Sequence, residues 1–539
     1  MNVPLSRPRS LSGALPLPTL ADFRSMARAP RRDLLCGLTV AVVALPLALG
    51  FGVSSGLGAA AGLITAVVAG SLAALFGGSA RQVSGPTGAM TVVLVPIVHR
   101  YGADGVLTVG LLAGLMLIGL AFARAGAAMA YVPAPVIAGF TIGIASVIAL
   151  QQVPSALGVP VPHGDQVAVV AAEAVREFEL TPHWAALLLA LGSAALMLAG
   201  ARWKPTVPFS LAAVALATVA AWALGLPVAR IGTLPDVLPA PSLGFLDLAR
   251  VPGLLAPAAA VAGLAALESL LSASVADAMR PGERHDPGKE LFGQGIANLV
   301  VPLFGGVPAT GAIARTAVNV RTGAVSRLAA LAHAVVLAAI VSVAAPLVGR
   351  IPLAALAGVL LATAVRMVET EAVRAMARAT RGDALVLVLT ATATLALDLV
   401  RAVLLGLGVS VLLALRASVL GTRLTPAAGD ELPGGAGTVT YRFDGPLLFA
   451  AAHRFRNSLA DVRDVSAVDL RLSGLTAVDA TGALALKDAV GDLRGRGIEV
   501  SITGVEPGHR RVLESLGVLP QNLRANRGAV PSATGAATP

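Results

Sequence analysis

The chain has 539 residues, of which 56% are apolar and 13% charged, and its mean hydropathy is +0.81. That composition excludes an ordinary soluble domain, which needs a polar surface, and points to repeated burial in a bilayer. The formal charge of +10 does not indicate nucleic acid, because the basic residues form no face or arm interleaved with aromatics.

Residues 1–32 are rich in Pro and Arg and read as a leader. Arg7, Arg9, Arg24, Arg28, Arg31 and Arg32 outweigh Asp22 and Asp33, so the positive-inside rule puts this end in the cytoplasm. Apolar runs then recur, of the order of the roughly 20 residues that a bilayer-spanning helix needs. They predict fourteen transmembrane segments. The first seven are 34–54, 57–77, 86–98, 105–123, 133–152, 183–200 and 207–224. The second seven are 254–277, 291–304, 309–320, 327–348, 352–368, 383–398 and 400–417. An even number returns the chain to the cytoplasm. The connection from 154 to 182, outside on this scheme, carries Asp165, Glu173, Glu177 and Glu179 against Arg176 alone. Connections expected inside carry Arg81, Arg124, Arg202 with Lys204, Arg280 with Arg284, and Arg321 with Arg327. The single Cys36 excludes an intrachain disulfide.

Two segments are too short for ordinary spans, and each opens on a Gly/Pro-rich stretch: Ser84 to Met90, and Gly305 to Ile313. Both contain Thr-Gly-Ala, at 87–89 and 310–312. The same offset carries segment 34–54 onto the eighth segment, so the chain reads as a 7+7 inverted repeat with a broken third helix in each half. A helix that begins in mid-membrane presents unpaired N–H groups and its positive dipole end, which together attract anions. Two such ends facing each other make an anion site near the midplane, to which Thr87 and Thr310 add hydroxyls. The plainer reading of Gly88 and Gly311 is that they permit close helix packing.

Ionisable groups inside spans are costly and usually functional. Glu268 lies deep in the eighth segment, with Ser272 one turn further along the same face. Arg315 follows the second broken end. Glu268 and Arg315 either neutralise each other or divide the work, the carboxyl binding a coupling proton or cation and the guanidinium attracting substrate. Asp277 and Arg280 read as solvated near the cytoplasmic mouth, and Asp398 with Arg401 as lying at the outer surface.

Beyond Arg423 the character changes. Residues 426–437 read as a linker, and the rest alternates like a soluble α/β domain: strands at 438–443, 446–449, 467–472 and 498–503, helices at 451–462, 482–494 and 507–516. The last twenty or so residues read as disordered.

Ser84 to Met90, Glu268-Ser269-Leu270-Leu271, Glu290 to Asn298 and Pro308 to Asn319 resemble the sulfate permease (SulP) family of anion transporters. Val478-Asp479-Ala480-Thr481-Gly482 resembles its C-terminal STAS domain. The resemblance spans roughly residues 33–520 and implies an α-helical polytopic membrane protein of fourteen segments in core and gate domains, followed by a small α/β domain. The domains would be a leader at 1–32, a transport domain at 33–420, a linker at 421–437, a cytoplasmic STAS domain at 438–520 and a tail at 521–539.

It further implies a secondary carrier working by alternating access in the plasma (inner) membrane, normally as a homodimer. The anion would be sulfate, bicarbonate or a dicarboxylate, bound by Thr87, Gly88, Ala89, Gly311, Ala312, Ile313, Ala314 and Arg315. Glu268 and Ser272 would hold the coupling ion. Sodium-coupled bicarbonate members tend to have Asp and Thr at these two positions, and Ile313 has no side-chain oxygen, so the expectation is a proton, with sodium as the alternative. In related STAS proteins a serine of the corresponding turn is phosphorylated. Here Thr481 is the candidate, against the plainer reading that its side chain caps the helix. No catalytic arrangement, metal site or cofactor is expected. The rivals are a nucleobase carrier of the same fold and a signalling scaffold acting through its STAS domain.

Overall fold

The computed structural model describes residues 23–519 apart from 127–131, 163, 165, 204–208, 236, 281–283, 398, 422, 427–436, 449–458, 460–461 and 463–464. The chain divides into two compact units, Met1–Gly408 and Val409–Pro539.

The first unit is helical. α1 (Pro30–Ser54) starts with Pro at its first position, where a missing N–H costs nothing. It lies against α2 (Ala59–Phe76) through two glycines, and a Cβ on Gly52 would stand 2.8 Å from the Gly62 nitrogen. β1 (Ser84–Gly85) leads into α3 (Gly88–Phe122). Gly102, at φ 72°, interrupts α3, so the third and fourth expected segments are two helices meeting at one glycine. α4 (Ala134–Leu157), α5 (Val167–Leu180), α6 (Trp184–Trp203) and α7 (Phe209–Ala223) complete the first half.

The second half repeats the order. α8 (Val251–Met279) and α9 (Pro287–Val300) precede β2 (Thr310–Gly311) and the short α10 (Ile313–Thr322). α11 (Leu328–Val348), α12 (Leu353–Met367), α13 (Thr370–Ala379) and α14 (Arg381–Ala396) follow, and α15 (Leu399–Gly421) begins in this unit and runs on past Gly408 into the second. Each expected segment falls on one of these helices or on part of one. Among the described residues, eight helical stretches are long and apolar enough to cross a bilayer unaided. The remainder include α7, α10 and α14, which are 15, 10 and 16 residues long.

The halves agree in a feature not expected from the sequence. Each places a polar-faced helix between its fifth and sixth segments, α5 in the first and α13 in the second. α5 carries Glu173, Glu177 and Glu179 against Arg176, a net negative charge, whereas α13 carries Arg374 and Arg378 against Glu371, a net positive one. Opposite charge at equivalent positions is what an inverted repeat with inside and outside loops produces. The helices also sort by packing. α3 lies on α8 and α9, and α2 on α9 and α11, while α4 lies on α12 and α14, and α6 on α12.

In the second unit, β3 (Arg423–Pro426), β4 (Thr438–Leu447), β5 (Ala467–Val478) and β6 (Glu499–Thr503) form a sheet in that order. The β4–β5 and β5–β6 pairs are parallel and β3–β4 is antiparallel. β3 lies where the sequence suggested linker, and the strands expected at 438–443 and 446–449 run on as one. α16 (Ala480–Gly495) and α17 (Pro507–Ser515) cover the sheet through Leu486, Val490, Leu493 and Leu513, all buried. The helix expected at 451–462 and the tail beyond 519 fall largely or wholly outside the described residues.

Candidate functional site

The two broken ends are joined by backbone. β1 and β2 pair antiparallel, Ser84 opposite Gly311 and Gly85 opposite Thr310. This places Thr87, at the start of α3, against Thr310, just ahead of α10. Their hydroxyl oxygens are 3.3 Å apart, and both donate to the same oxygen of Glu268, from 2.8 Å and 2.7 Å. Thr87 and Thr310 are buried, and Glu268 nearly so. A residue from each half and a carboxylate from α8 thus form one cluster.

Arg315 reaches back across the same crossing, where its Nη2 donates to the Pro86 carbonyl. It is buried, and its guanidinium occupies the space a side chain at residue 85 would need, since a Cβ on Gly85 would lie 2.6 Å from Nη1. Among the described residues no ion pair joins Arg315 to Glu268. Each is bonded to the broken helices, and their charges interact at longer range.

The predicted site residues separate into groups. Ile313 is 37% exposed and Ala314 is exposed, so the first turn of α10, whose N–H groups have no intrahelical acceptors, faces an opening. Gly311 and Ala312 are already committed, their N–H groups donating to Ser269 Oγ at 2.9 Å and to the Val83 carbonyl at 2.9 Å. Gly88 and Ala89 are buried, and a Cβ on Gly88 would meet Ile148 of α4 and Phe51 of α1. One broken end is therefore open and the other covered. Ser272 gives its hydroxyl to Thr316 at 2.9 Å, and not to Glu268. Thr481, in the other unit, is exposed. It does not cap α16, because Asp479 Oδ1 takes the Gly482 N–H at 2.7 Å and fills that role.

The residues that hold the crossing together form a row on α9 with no role read from the sequence. Glu290 accepts from Gly78 N, Ser79 N and Gln82 Nε2 at 2.9, 3.2 and 2.9 Å. Gln294 Nε2 donates to Glu290 and to Ser84 Oγ at 2.9 and 2.7 Å. Asn298 takes the Ala309 N–H at 2.7 Å and donates to the Ala309 carbonyl at 2.9 Å. Polar residues four apart in an apolar segment share one helical face, and that spacing was the available signal. From the other side Thr316 accepts from Val83 N at 3.0 Å, and Asn319 donates to the Arg81 carbonyl at 2.8 Å. Both loops, having left helical structure, find their partners in protein, as a break at membrane depth requires.

The site therefore offers first-turn N–H groups, an arginine, two hydroxyls and one carboxylate that holds both hydroxyls. Residues 31–390 match the family model described as the sulfate permease family, and residues 431–527 match that of the STAS domain. A putative sulfate transporter of Bacillus subtilis, YvdB, is 34% identical over 503 residues, 90% of this chain and 94% of its own. The bicarbonate transporter BicA of Synechocystis is 32% identical over 511 residues, 90% of each chain. The solved transmembrane domain of a cyanobacterial BicA matches with a TM-score of 0.63 at 32% identity, over 72% of this chain and 98% of that one. The structure of SLC26A9 matches with a TM-score of 0.79 over 91% of this chain and 88% of that one; at 16% identity it shows the fold alone.

Proposed function

Because this chain belongs to the sulfate permease family, we propose that it carries a small oxyanion or dicarboxylate by alternating access, together with a proton on Glu268. The observation that carries this reading is the convergence of Thr87 and Thr310 on one Glu268 oxygen. While ionised, that carboxylate consumes both hydroxyl donors and repels an approaching anion. A proton on Glu268 removes the charge and releases hydroxyl donors to the anion, so the two ligands favour each other's binding. Arg315 and the first turn of α10 supply positive potential without side-chain movement. The anion occupies the space in front of Thr87, Ile313, Ala314 and Arg315. Transport follows when the helix group of α4, α6, α12 and α14 moves against the group holding the broken helices.

The arginine-bearing α13 and the acidic α5 support an orientation with α13, the N-terminal end and the STAS domain in the cytoplasm, in the plasma membrane. The resemblance adds a homodimer. A second reading puts sodium in place of the proton. It rests on the relatives named bicarbonate transporters and on the three oxygens that meet at Glu268.

Proteoliposome uptake of labelled sulfate, bicarbonate, fumarate and succinate, each under an imposed proton or sodium gradient, tests both readings. Strict dependence on sodium with no response to protons overturns the proton assignment. Uptake of uracil or xanthine with none of the anions overturns anion transport. Loss of all flux and binding on deleting 437–539 favours the scaffold rival.

A further inference from the structure

α1 and α11 lie against each other, and Gly37 lets them close in, since a Cβ there would stand 2.6 Å from the Ala329 carbonyl oxygen. Along the same pair runs a groove of about 650 Å³, formed by Leu34, Leu35 and Leu38 of α1 with Leu331, Val335 and Val336 of α11. Leu34, Leu35, Leu38 and Val335 are exposed, so the groove opens on the side that faces lipid. Arg31 lines it at the end where both helices start. A second cavity, of about 260 Å³, lies just ahead of the groove in both helices: its lining includes Arg28, three residues before Arg31, and Arg327, the residue before Leu328. Arg81 and Arg284 line it too, the first buried and the second exposed like Arg28. Asp277, the acid on this lining among the described residues, is already engaged, its Oδ2 bonded to the His285 backbone N–H at 3.0 Å and to the ring Nδ1 at 2.7 Å. Arg327 Nη1 donates to the Ala74 and Gly77 carbonyls at 2.9 and 2.6 Å, which fixes that cation in the wall.

We propose that the groove and the cavity together bind one anionic phospholipid of the cytoplasmic leaflet, its acyl chains along α1 and α11 and its phosphate among the arginines ahead of them. The cavity is smaller than the roughly 300–1,000 Å³ of sites for drug-sized ligands, which suits a compact group. Guanidinium forks match the oxygens of a phosphate, and basic pockets at the cytoplasmic ends of spans take anionic headgroups. An apolar groove alone gathers any lipid, and a basic cavity alone gathers any oxyanion. Their succession along the same two helices selects a molecule that has both parts. The leaflet rests on the orientation proposed above, whereas the site itself does not depend on transport. The cavity also touches residues 78–81, which run on into β1, so a bound headgroup steadies the segment from which the first broken helix starts.

The full-length protein in nanodiscs of phosphatidylcholine mixed with phosphatidylglycerol supplies the test. Native mass spectrometry is expected to find one phosphatidylglycerol per chain retained in preference to phosphatidylcholine. Amide hydrogen exchange over residues 77–83 is expected to be slower than in nanodiscs of phosphatidylcholine alone. Arg28→Ala combined with Arg284→Ala, both at exposed positions, is expected to weaken the lipid preference about tenfold or more and to abolish the protection. Val335→Trp, which fills the groove and leaves every arginine in place, is expected to lose the retained lipid as well. Equal retention of the two lipids by the wild type means an unselective lipid shell and overturns the site. A preference that survives Val335→Trp, or binding of inorganic phosphate with no preference for phosphatidylglycerol, assigns the cavity to a free oxyanion and overturns the lipid. Exchange over 77–83 that is the same with either lipid overturns the steadying role. Because no readout involves flux, failure of the transport reading leaves each of these outcomes decisive.

Discussion

Thr87 and Thr310 lie 223 residues apart in sequence and 3.3 Å apart in space, each donating its hydroxyl hydrogen to the same Glu268 oxygen. Thr-Gly-Ala occurs once in each half, with Thr87 capping α3 directly and Thr310 two residues ahead of the cap of α10, and the β1–β2 pairing makes the two threonines neighbours. Because a single acceptor serves both, the two threonines are energetically coupled.

That coupling is measurable. Thr87→Val and Thr310→Val each remove one charge-assisted bond, worth about 1.5–3 kcal/mol, and each is expected to impair anion uptake by about tenfold. The double variant is expected to lose clearly less than the product of the single losses, since the first substitution already disturbs the shared acceptor. Uptake kinetics across the four-protein cycle provide the check, and strict multiplicativity would mean that the hydroxyls act separately.

Glu268→Gln preserves shape and an acceptor oxygen but cannot release a proton. Proton-driven accumulation is expected to disappear, while the protein stays folded and exchange of anion across the membrane persists. Accumulation by the variant at the wild-type level, under the same acid-outside gradient, would remove Glu268 from coupling.

Asn298 holds the second broken loop by both faces of one residue, Ala309. Asn298→Ala leaves a buried N–H and a buried carbonyl unpaired, at about 1–3 kcal/mol each, and the apparent Tm of the purified protein is expected to fall markedly. Asn298→Asp keeps the acceptor but forfeits the amide donor and buries a charge, so it is not expected to rescue. An Ala variant as heat-stable as the wild type would show that the loop holds its own conformation.

Much of this site was visible in the residues. A broken helix needs Gly and Pro, so Ser84–Met90 and Gly305–Ile313 stood out, and a lone carboxylate in an apolar run drew attention to Glu268. The commitment of the Gly311 and Ala312 N–H groups was not visible, because a two-residue ladder between distant segments leaves no local pattern. Nor was the partner of Ser272, since helical spacing gives a face but not what that face meets. α5 and α13 were missed because short polar-faced helices resemble connections when hydropathy alone is read.

In the STAS unit, the turn before α16 separates capping from modification. Asp479 accepts the Gly482 N–H and satisfies one of the first-turn donors, so Asp479→Ala is expected to cost about 1 kcal/mol of local stability. Thr481 is exposed within the first turn and does not supply the cap, so a much smaller effect is expected of Thr481→Ala. Amide hydrogen exchange over residues 480–495 of the full-length protein distinguishes them, since loss of the cap accelerates exchange at that end of the helix. A phosphate on Thr481 would sit at the positive end of the α16 dipole and is expected to slow the same exchange. Faster exchange in the Thr481 variant than in the Asp479 variant would return the cap to the threonine.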